Sequence, residues 1–277
     1  MNKLSLEKRT QIIGLLVEGN SIRATARLAD CAINSVIKLL IQVGEACQQY
    51  HDEHVRNVAA KRVQCDEIWT FCYSKDKNIP EKLRGKNGIG SVWTWVGIDA
   101  DSKLAISWLV GNRDASYAHI FMQDIASRLK NRIQLTTDGL KAYLEAVEVN
   151  FGADIDYAQL VKLYGAPLDS DHRYSPAEVT GTEKVVVMGD PKMKHVSTSY
   201  VERQNLTMRM NMRRFTRLTN AFSKKVENHA HAVALHFMYY NFVRIHKTLK
   251  VTPAMAAGIT QRLWDIEDLA RLLDDSK

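Results

Sequence analysis

The sequence predicts an α/β protein: a mixed sheet flanked by helices and preceded by a small all-α unit. Three observations predict it. Up to about residue 60 the apolar spacing is helical throughout. From residue 61 the order of β-prone and helical runs reads β-β-β-α-β-α, a hairpin meander followed by helical crossovers. From Ser199 onward the chain is helical again, with a break near Leu249–Pro253.

The 277 residues are 45% apolar and 25% charged, the balance of a folded globular protein and not of a disordered one. No stretch approaches the roughly 18 apolar residues of a membrane span, and the N-terminus lacks the apolar core of a secretory signal. The expected location is therefore the cytoplasm, associated with the nucleoid, with no membrane partner. Cys31, Cys47, Cys65 and Cys72 form no Cys-x-x-Cys pair and read as buried free thiols. The formal charge of +7 favours a polyanionic partner.

In the first unit, Leu6, Ile12, Ile13, Leu15, Leu16 and Val17 make an apolar stripe that Gly19-Asn20 ends. Ser21 caps a short helix, Ile22 to Ala29, and a turn at Asp30–Ala32 leads to a third helix, about Asn34 to Gln48. Three helices with a tight link between the last two form a helix-turn-helix pattern. Asn34, Ser35 and Lys38 on the third would face a DNA groove, although a plain three-helix interaction module has the same pattern. Residues 49–60 read as a solvated helix or linker, so 1–60 is the first domain.

Val63 to Tyr73 is the first strand; a basic loop, Lys75 to Gly90, follows. Val92 to Asp99 and Leu104 to Val110 form a hairpin with Asp99 and Asp101 as turn residues. Ala115 to Leu129 is an amphipathic helix, Arg132 to Thr137 a strand, and Leu140 to Val149 a helix. From 150 to 196 the pattern is poor, interrupted by Pro167, Pro176 and Pro191, and reads as an insertion. Residues 61–258 form the second domain and 259–277 a helical tail.

Three carboxylates stand out. Asp66 lies inside a β-prone apolar run, where burial is costly unless the group is paired or binds a cation; a half-exposed edge strand is the alternative. Asp138 closes a strand at the carboxyl edge, where open α/β sheets place ligands, or serves as simple turn chemistry before Gly139. Glu202 opens a helix that turns basic, or completes a capping box with Ser199. Glu67 alternates away from Asp66. Three carboxylates converging on one sheet edge supply hard oxygen ligands for Mg²⁺ or Mn²⁺, and two such ions can clamp an in-line phosphoryl transfer.

Downstream of Glu202, Arg203, Arg209, Arg213, Arg214 and Arg217 bring five positive charges with no acid between them. On a continuous helix Glu202, Leu206, Arg209 and Arg213 share one face, with Met208, Met212 and Phe215 packing opposite. A solvated basic face is the simpler alternative. Lys224, Lys225, Arg244, Lys247 and Lys250 extend the positive character. His229, His231 and His236 lack the spacing of a two-histidine metal face and read as structural, and His246 as a packing or phosphate contact.

The segments Cys65-Asp66-Glu67-Ile68-Trp69, Thr137-Asp138-Gly139-Leu140-Lys141-Ala142-Tyr143 and Ser199-Tyr200-Val201-Glu202-Arg203-Gln204-Asn205 together resemble the DDE transposases, most closely the insertion-sequence-one (IS-one) type. Phe222 to Glu227, and Tyr240 to Leu249 with Thr252-Pro253, are similar to the ends of many transposases and retroviral-type integrases. The resemblance covers about residues 60–258. It implies an RNase H-like mixed five-stranded sheet, with Asp66, Asp138 and Glu202 as catalytic metal ligands for Mg²⁺ or Mn²⁺, two ions in all. It places an auxiliary basic residue at Arg209, where Lys is common. Family members often begin with a cysteine-rich zinc segment, which this chain lacks. The implied activity is DNA transposition: binding of element ends, strand cleavage, then strand transfer by the exposed 3′-hydroxyl, with DNA as partner and a homo-oligomer joining two ends. The alternatives are a metal-dependent nuclease or resolvase on the same fold, and a non-catalytic helix-turn-helix regulator.

Overall fold

A single mixed sheet organises the molecule, in a computed structural model that describes residues 4–86, 88–165, 179–216 and 220–275. Its strands are β1 (Arg62–Cys72), β2 (Gly90–Asp99), β3 (Ala105–Gly111), β4 (Ile133–Asp138), β5 (Ile155–Tyr164) and β6 (Val179–Met188). The spatial order is β3-β2-β1-β4-β5-β6. The meander β1-β2-β3 is antiparallel, β1, β4 and β5 run parallel, and β6 returns antiparallel to β5. The α/β class and the mixed sheet flanked by helices expected from the sequence hold. The strand count does not: there are six strands among the described residues, not five.

The sixth comes from the region that reads poorly in sequence. β5 and β6 pair from Tyr157–Met188 to Tyr164–Val179. β6 is exposed along most of its length, so it carries no apolar alternation to betray it. Residues 166–178, with Pro167 and Pro176, and Arg217 lie outside the described residues.

Helices flank the sheet as α1 (Leu6–Val17), α2 (Ile22–Leu28), α3 (Ile33–His54), α4 (Ala115–Arg128), α5 (Ala142–Phe151), α6 (Ser199–Asn211), α7 (Val226–Met238), α8 (Pro253–Ala256) and α9 (Ile266–Asp275). α4 and α5 cover one face. Trp95 of β2 packs there against Phe121 and Tyr143, and Gly97 lies so close to Ile125 that a Cβ would meet its Cδ1 at 2.7 Å. α6 packs on β1 and β2 from the other face, and α7 on β3.

Ser5 and Ser21 cap α1 and α2 through their side-chain oxygens. α3 runs to His54, six residues beyond the expected end, so half of the segment 49–60, read as a solvated helix or linker, is helix. Its polar tail hides the reason: His51 is buried against the Trp108 ring, with centroids 4.2 Å apart, and its Nε2 meets the carbonyl of Ala105 at 3.3 Å. α3 crosses α7 at Gly44, where a Cβ would stand 2.7 Å from the His231 Cα. α9 packs against α1 and α3, tied by Arg9 to Asp274 at 2.9 Å. One continuous hydrophobic core therefore runs from the N-terminal helices into the sheet. At the outer strand β3, Asn241 donates to the carbonyl of Ala105 at 2.9 Å and accepts from its amide at 3.0 Å, covering that edge. All four cysteines are free; three are buried and Cys31 is half-buried.

Candidate active site

The parallel pairing of β1 with β4 sets Cys65 beside Thr137, so Asp66 and Asp138 come level at the carboxyl ends of adjacent central strands. β1 continues past this point while β4 stops, which opens the edge where both carboxylates lie. Asp66 faces α6: its Oδ2 accepts from Asn205 Nδ2 at 2.9 Å. Glu67 faces the α4–α5 side, as alternation requires. Its buried carboxylate accepts from the Tyr143 hydroxyl and from Arg113 Nε at 2.9 Å. Arg113 follows β3, stacks over the Trp93 ring at 4.9 Å, and reaches Asp138 Oδ2 at 3.3 Å. Asp138 Oδ1 accepts the Leu140 amide at 3.0 Å, so it also shapes the turn before α5.

At the end of a strand, opposite faces are no longer far apart. Asp66, Glu67 and Asp138 each offer a carboxylate oxygen, all within 4.8 Å of one another. The expectation that alternation removes Glu67 from the site is thereby corrected. Its side chain leaves on the other face yet reaches the same edge.

Crowding of like charge is visible in the protonation equilibria. Burial, then the Asp138 charge, pushes Asp66 up to about 6, with Glu202 adding to the rise and Lys162 opposing it. Burial, then Asp138, pushes Glu67 up to about 7 against the Tyr143 hydrogen bond. Burial first, then Glu67, raises the Tyr143 phenol well above its ordinary value.

Glu202 lies in the first turn of α6, close enough to influence Asp66 but outside the 4.8 Å group. Lys162 of β5 holds its Oε1 at 2.8 Å and the Thr198 hydroxyl donates to the same oxygen at 2.5 Å. The capping-box alternative does not occur. Ser199 is already helical, and the first free amides of α6, Tyr200 and Val201, donate to Gln64 Oε1 of β1 at 2.8 and 3.2 Å. Gln64, unremarked in the sequence, thus fixes the helix that carries Glu202.

α6 ends at Asn211, before the basic run is complete. Met212 is extended, and Arg213–Phe215 form a separate short turn. The expected shared helical face of Glu202, Leu206, Arg209 and Arg213 is therefore cut at Arg213. The break buries both Met212 and Phe215, and the Thr70 hydroxyl donates to the Arg214 carbonyl at 3.4 Å. Met208, Met212 and Phe215 are core, as expected.

Of the other basic and polar candidates, Arg203, Arg213, Lys224, Lys225, Arg244 and Lys247 are exposed, and Arg209 is half-buried. In α3, Asn34 and Lys38 are exposed and Ser35 is half-buried. His229 and His236 are fully enclosed, and burial holds both near 3 and so neutral, which fits a structural role. His246 is faced by Lys103 and Arg244.

The donor set suits a hard divalent cation: close carboxylate oxygens, charge crowding that a cation relieves, and a buried Asn205 Oδ1 with no partner among the described residues.

No family model matches the chain. No curated protein matches it. Among solved structures it is similar to the Mos1 strand transfer complex, at 12% identity over 57% of this chain and 59% of that chain, with a TM-score of 0.25. It is similar also to the Mos1 transposase paired-end complex with left transposon end, at 11% identity over 54% and 58%, with a TM-score of 0.22. The Mos1 mariner paired-end complex with Mn gives 12% identity over the same shares, also at 0.22. The match spans less than two thirds of each neighbour, and TM-scores this low establish no common fold. No helix among the described residues is long and apolar enough to cross a membrane.

Proposed function

We propose that the chain is a DNA transposase of the DDE type, a metal-dependent polynucleotidyl transferase, and within that class of the IS-one type that the sequence resembles. One observation carries the reading: carboxylates distant in sequence meet at the carboxyl edge of the central strands, with Glu202 brought alongside by α6. Asp66, Asp138 and Glu202 would hold Mg²⁺ or Mn²⁺, two ions in all, with Glu67 beside them. Bound there, the ions supply Lewis-acid stabilisation of the attacking and leaving oxygens in an in-line phosphoryl transfer.

The protein's own residues do the rest. Gln64 and Asn205 orient α6 and Asp66. Tyr143 and Arg113 fix Glu67, and Arg113 steadies Asp138. Lys162 holds Glu202 and keeps a positive charge at the site margin. Exposed Arg203, Arg213, Lys224, Lys225, Arg244 and Lys247, with half-buried Arg209, give the phosphate backbone counter-charge. In the helix-turn-helix domain of residues 1–60, Asn34, Ser35 and Lys38 would read base edges. Two element ends must be joined, so the working form is a homo-oligomer. The domain of residues 61–258 carries the chemistry, and α9 in the tail braces α1.

Asp66→Asn and Glu202→Gln should abolish strand cleavage and transfer while leaving binding to the element ends. Unchanged cleavage in either variant removes that residue from the assignment. Cleavage without joining would favour a nuclease or resolvase.

A further inference from the structure

The backbone that carries Glu202 is pinned to β1 at two points. Gln64 accepts the Tyr200 and Val201 amides at 2.8 and 3.2 Å, and Asn205 donates to Asp66 at 2.9 Å. Gln64 and Asp66 are two residues apart on β1 and so share a strand face. Glu202 lies between the two points, in the first turn of α6. Its Cα is therefore fixed, and only rotation about its side-chain bonds changes where the carboxylate goes.

That carboxylate does not join the others. Asp66, Glu67 and Asp138 form the group within 4.8 Å, and Glu202 is outside it. Its Oε1 is held from β5 and from the residue before α6: Lys162 Nζ lies at 2.8 Å, and the Thr198 hydroxyl donates at 2.5 Å. Thr198 is buried and makes no side-chain cap bond to α6, so its hydroxyl serves Glu202 instead. Arg113 does not hold Asp138 in the same way. Its shorter contact, 2.9 Å, is to buried Glu67, and it reaches Asp138 at 3.3 Å. The Lys162 and Glu202 side chains are 31% and 39% exposed, and water weakens such a pair enough for a divalent cation to displace it.

We propose that Lys162 is a positioning residue that parks Glu202 on the β5 side of the site, so that Glu202 joins Asp66 and Asp138 only by exchanging the Lys162 ammonium for a divalent cation. The proposal rests on the metal-dependent reading above and adds an order of events to it. Asp66 and Asp138 are level on adjacent strands and need no such exchange. Glu202 is drawn between a single positive charge on β5 and a double one at the strand edge, and the double charge wins at short range. The set of three carboxylates is then completed by the arrival of the cation and is not assembled beforehand.

The test is a Mn²⁺ titration of the full chain without DNA, read by the electron paramagnetic resonance signal of the free ion. Lys162→Met keeps the side-chain stem and removes the charge; it should bind Mn²⁺ about 5-fold more tightly than the wild type. Lys162→Arg restores the cation and should return the affinity to within about 2-fold of the wild type. In the Glu202→Gln background, Lys162→Met should change the affinity by less than about 2-fold, because the parked group is gone. An unchanged or weaker affinity in Lys162→Met alone overturns the proposal, since a side chain that held Glu202 ready for the cation would weaken binding when lost. An equal gain in the Glu202→Gln background also overturns it, because Lys162 would then act on Asp66 directly. So does an equal gain in Lys162→Arg. A chain that takes up no Mn²⁺ in any of these forms overturns the metal-dependent reading itself.

Discussion

Two clusters of carboxylates sit about the same sheet, and their environments push them in opposite directions. Where α3 meets α4, Arg128 is buried between Asp52 and Asp124, with Nε–Oδ2 at 2.7 Å to Asp124. Its Nη1 also reaches the carbonyls of Val55 and His51 at 3.3 and 3.4 Å. There burial would raise Asp52, but hydrogen bonds from Gln48 and Arg128 and the Arg128 charge outweigh it and hold the group well below its ordinary value. At the carboxyl edge, Asp66 and Glu67 are pushed up, because burial and the Asp138 charge outweigh their partners. The first cluster is balanced and serves the fold. The second is left short of positive charge, as the proposed cation site requires.

Removing the cation from the balanced cluster should have the largest effect on stability. Arg128→Ala should cost about 3 kcal/mol in urea unfolding, at the low end for a broken buried pair because Asp52 and Asp124 keep part of their hydration. A loss under about 0.5 kcal/mol would erase the contrast.

The crowded cluster should respond with the opposite sign. Asp66→Asn removes a repelled charge and keeps an acceptor for Asn205, so the metal-free protein should gain about 1–2 kcal/mol at pH 8. The pH dependence follows from the same shifts. Asp66 and Glu67 have folded values above their unfolded ones, so the folded state binds more protons from about pH 4 to 7. Their contribution is intact below about pH 4 and is lost as pH rises through about 6 and 7. Asp52 is the reverse: its contribution is present above its ordinary value and lost as pH falls below it. Unfolding curves in EDTA should therefore show the gain from Asp66→Asn growing between about pH 4 and 7, and vanishing at about pH 4. A pH-independent gain would mean that the charge is not the cause.

A smaller effect sharpens the comparison from the cation's side. Mn²⁺ at about 5 times its Kd should stabilise the wild type by about 1 kcal/mol, a shift of a few degrees in Tm. Asp138→Asn should lose most of that shift, and Arg128→Ala should keep it. An equal shift in all three proteins would place the ion elsewhere.

Most of the sheet is legible in the sequence because its strands announce themselves. β1 to β4 are apolar runs bounded by turn residues, and Asp66 is conspicuous as a carboxylate inside one of them. What is hidden is hidden for physical reasons. β5 and β6 project polar side chains such as Lys162, Thr180 and Glu183, so no alternation shows. The end of α3 is polar because His51 is satisfied by a carbonyl and a ring instead of by apolar neighbours. The stop after Asn211 is set by tertiary burial of Met212 and Phe215, which overrides a good helical pattern. Glu67 is discounted by strand alternation, a rule that loses its force at the strand's open end.

The central claim is tested most directly with a plasmid carrying the coding region and its native flanking DNA, incubated with protein and Mg²⁺, and with the new 3′ ends mapped at nucleotide resolution. The account predicts nicks at the element boundaries that become joined to target DNA in the wild type and are absent with Asp66→Asn, Asp138→Asn or Glu202→Gln. Boundary cleavage that persists in the Asp66→Asn protein, or that proceeds at full rate in excess EDTA, would contradict it.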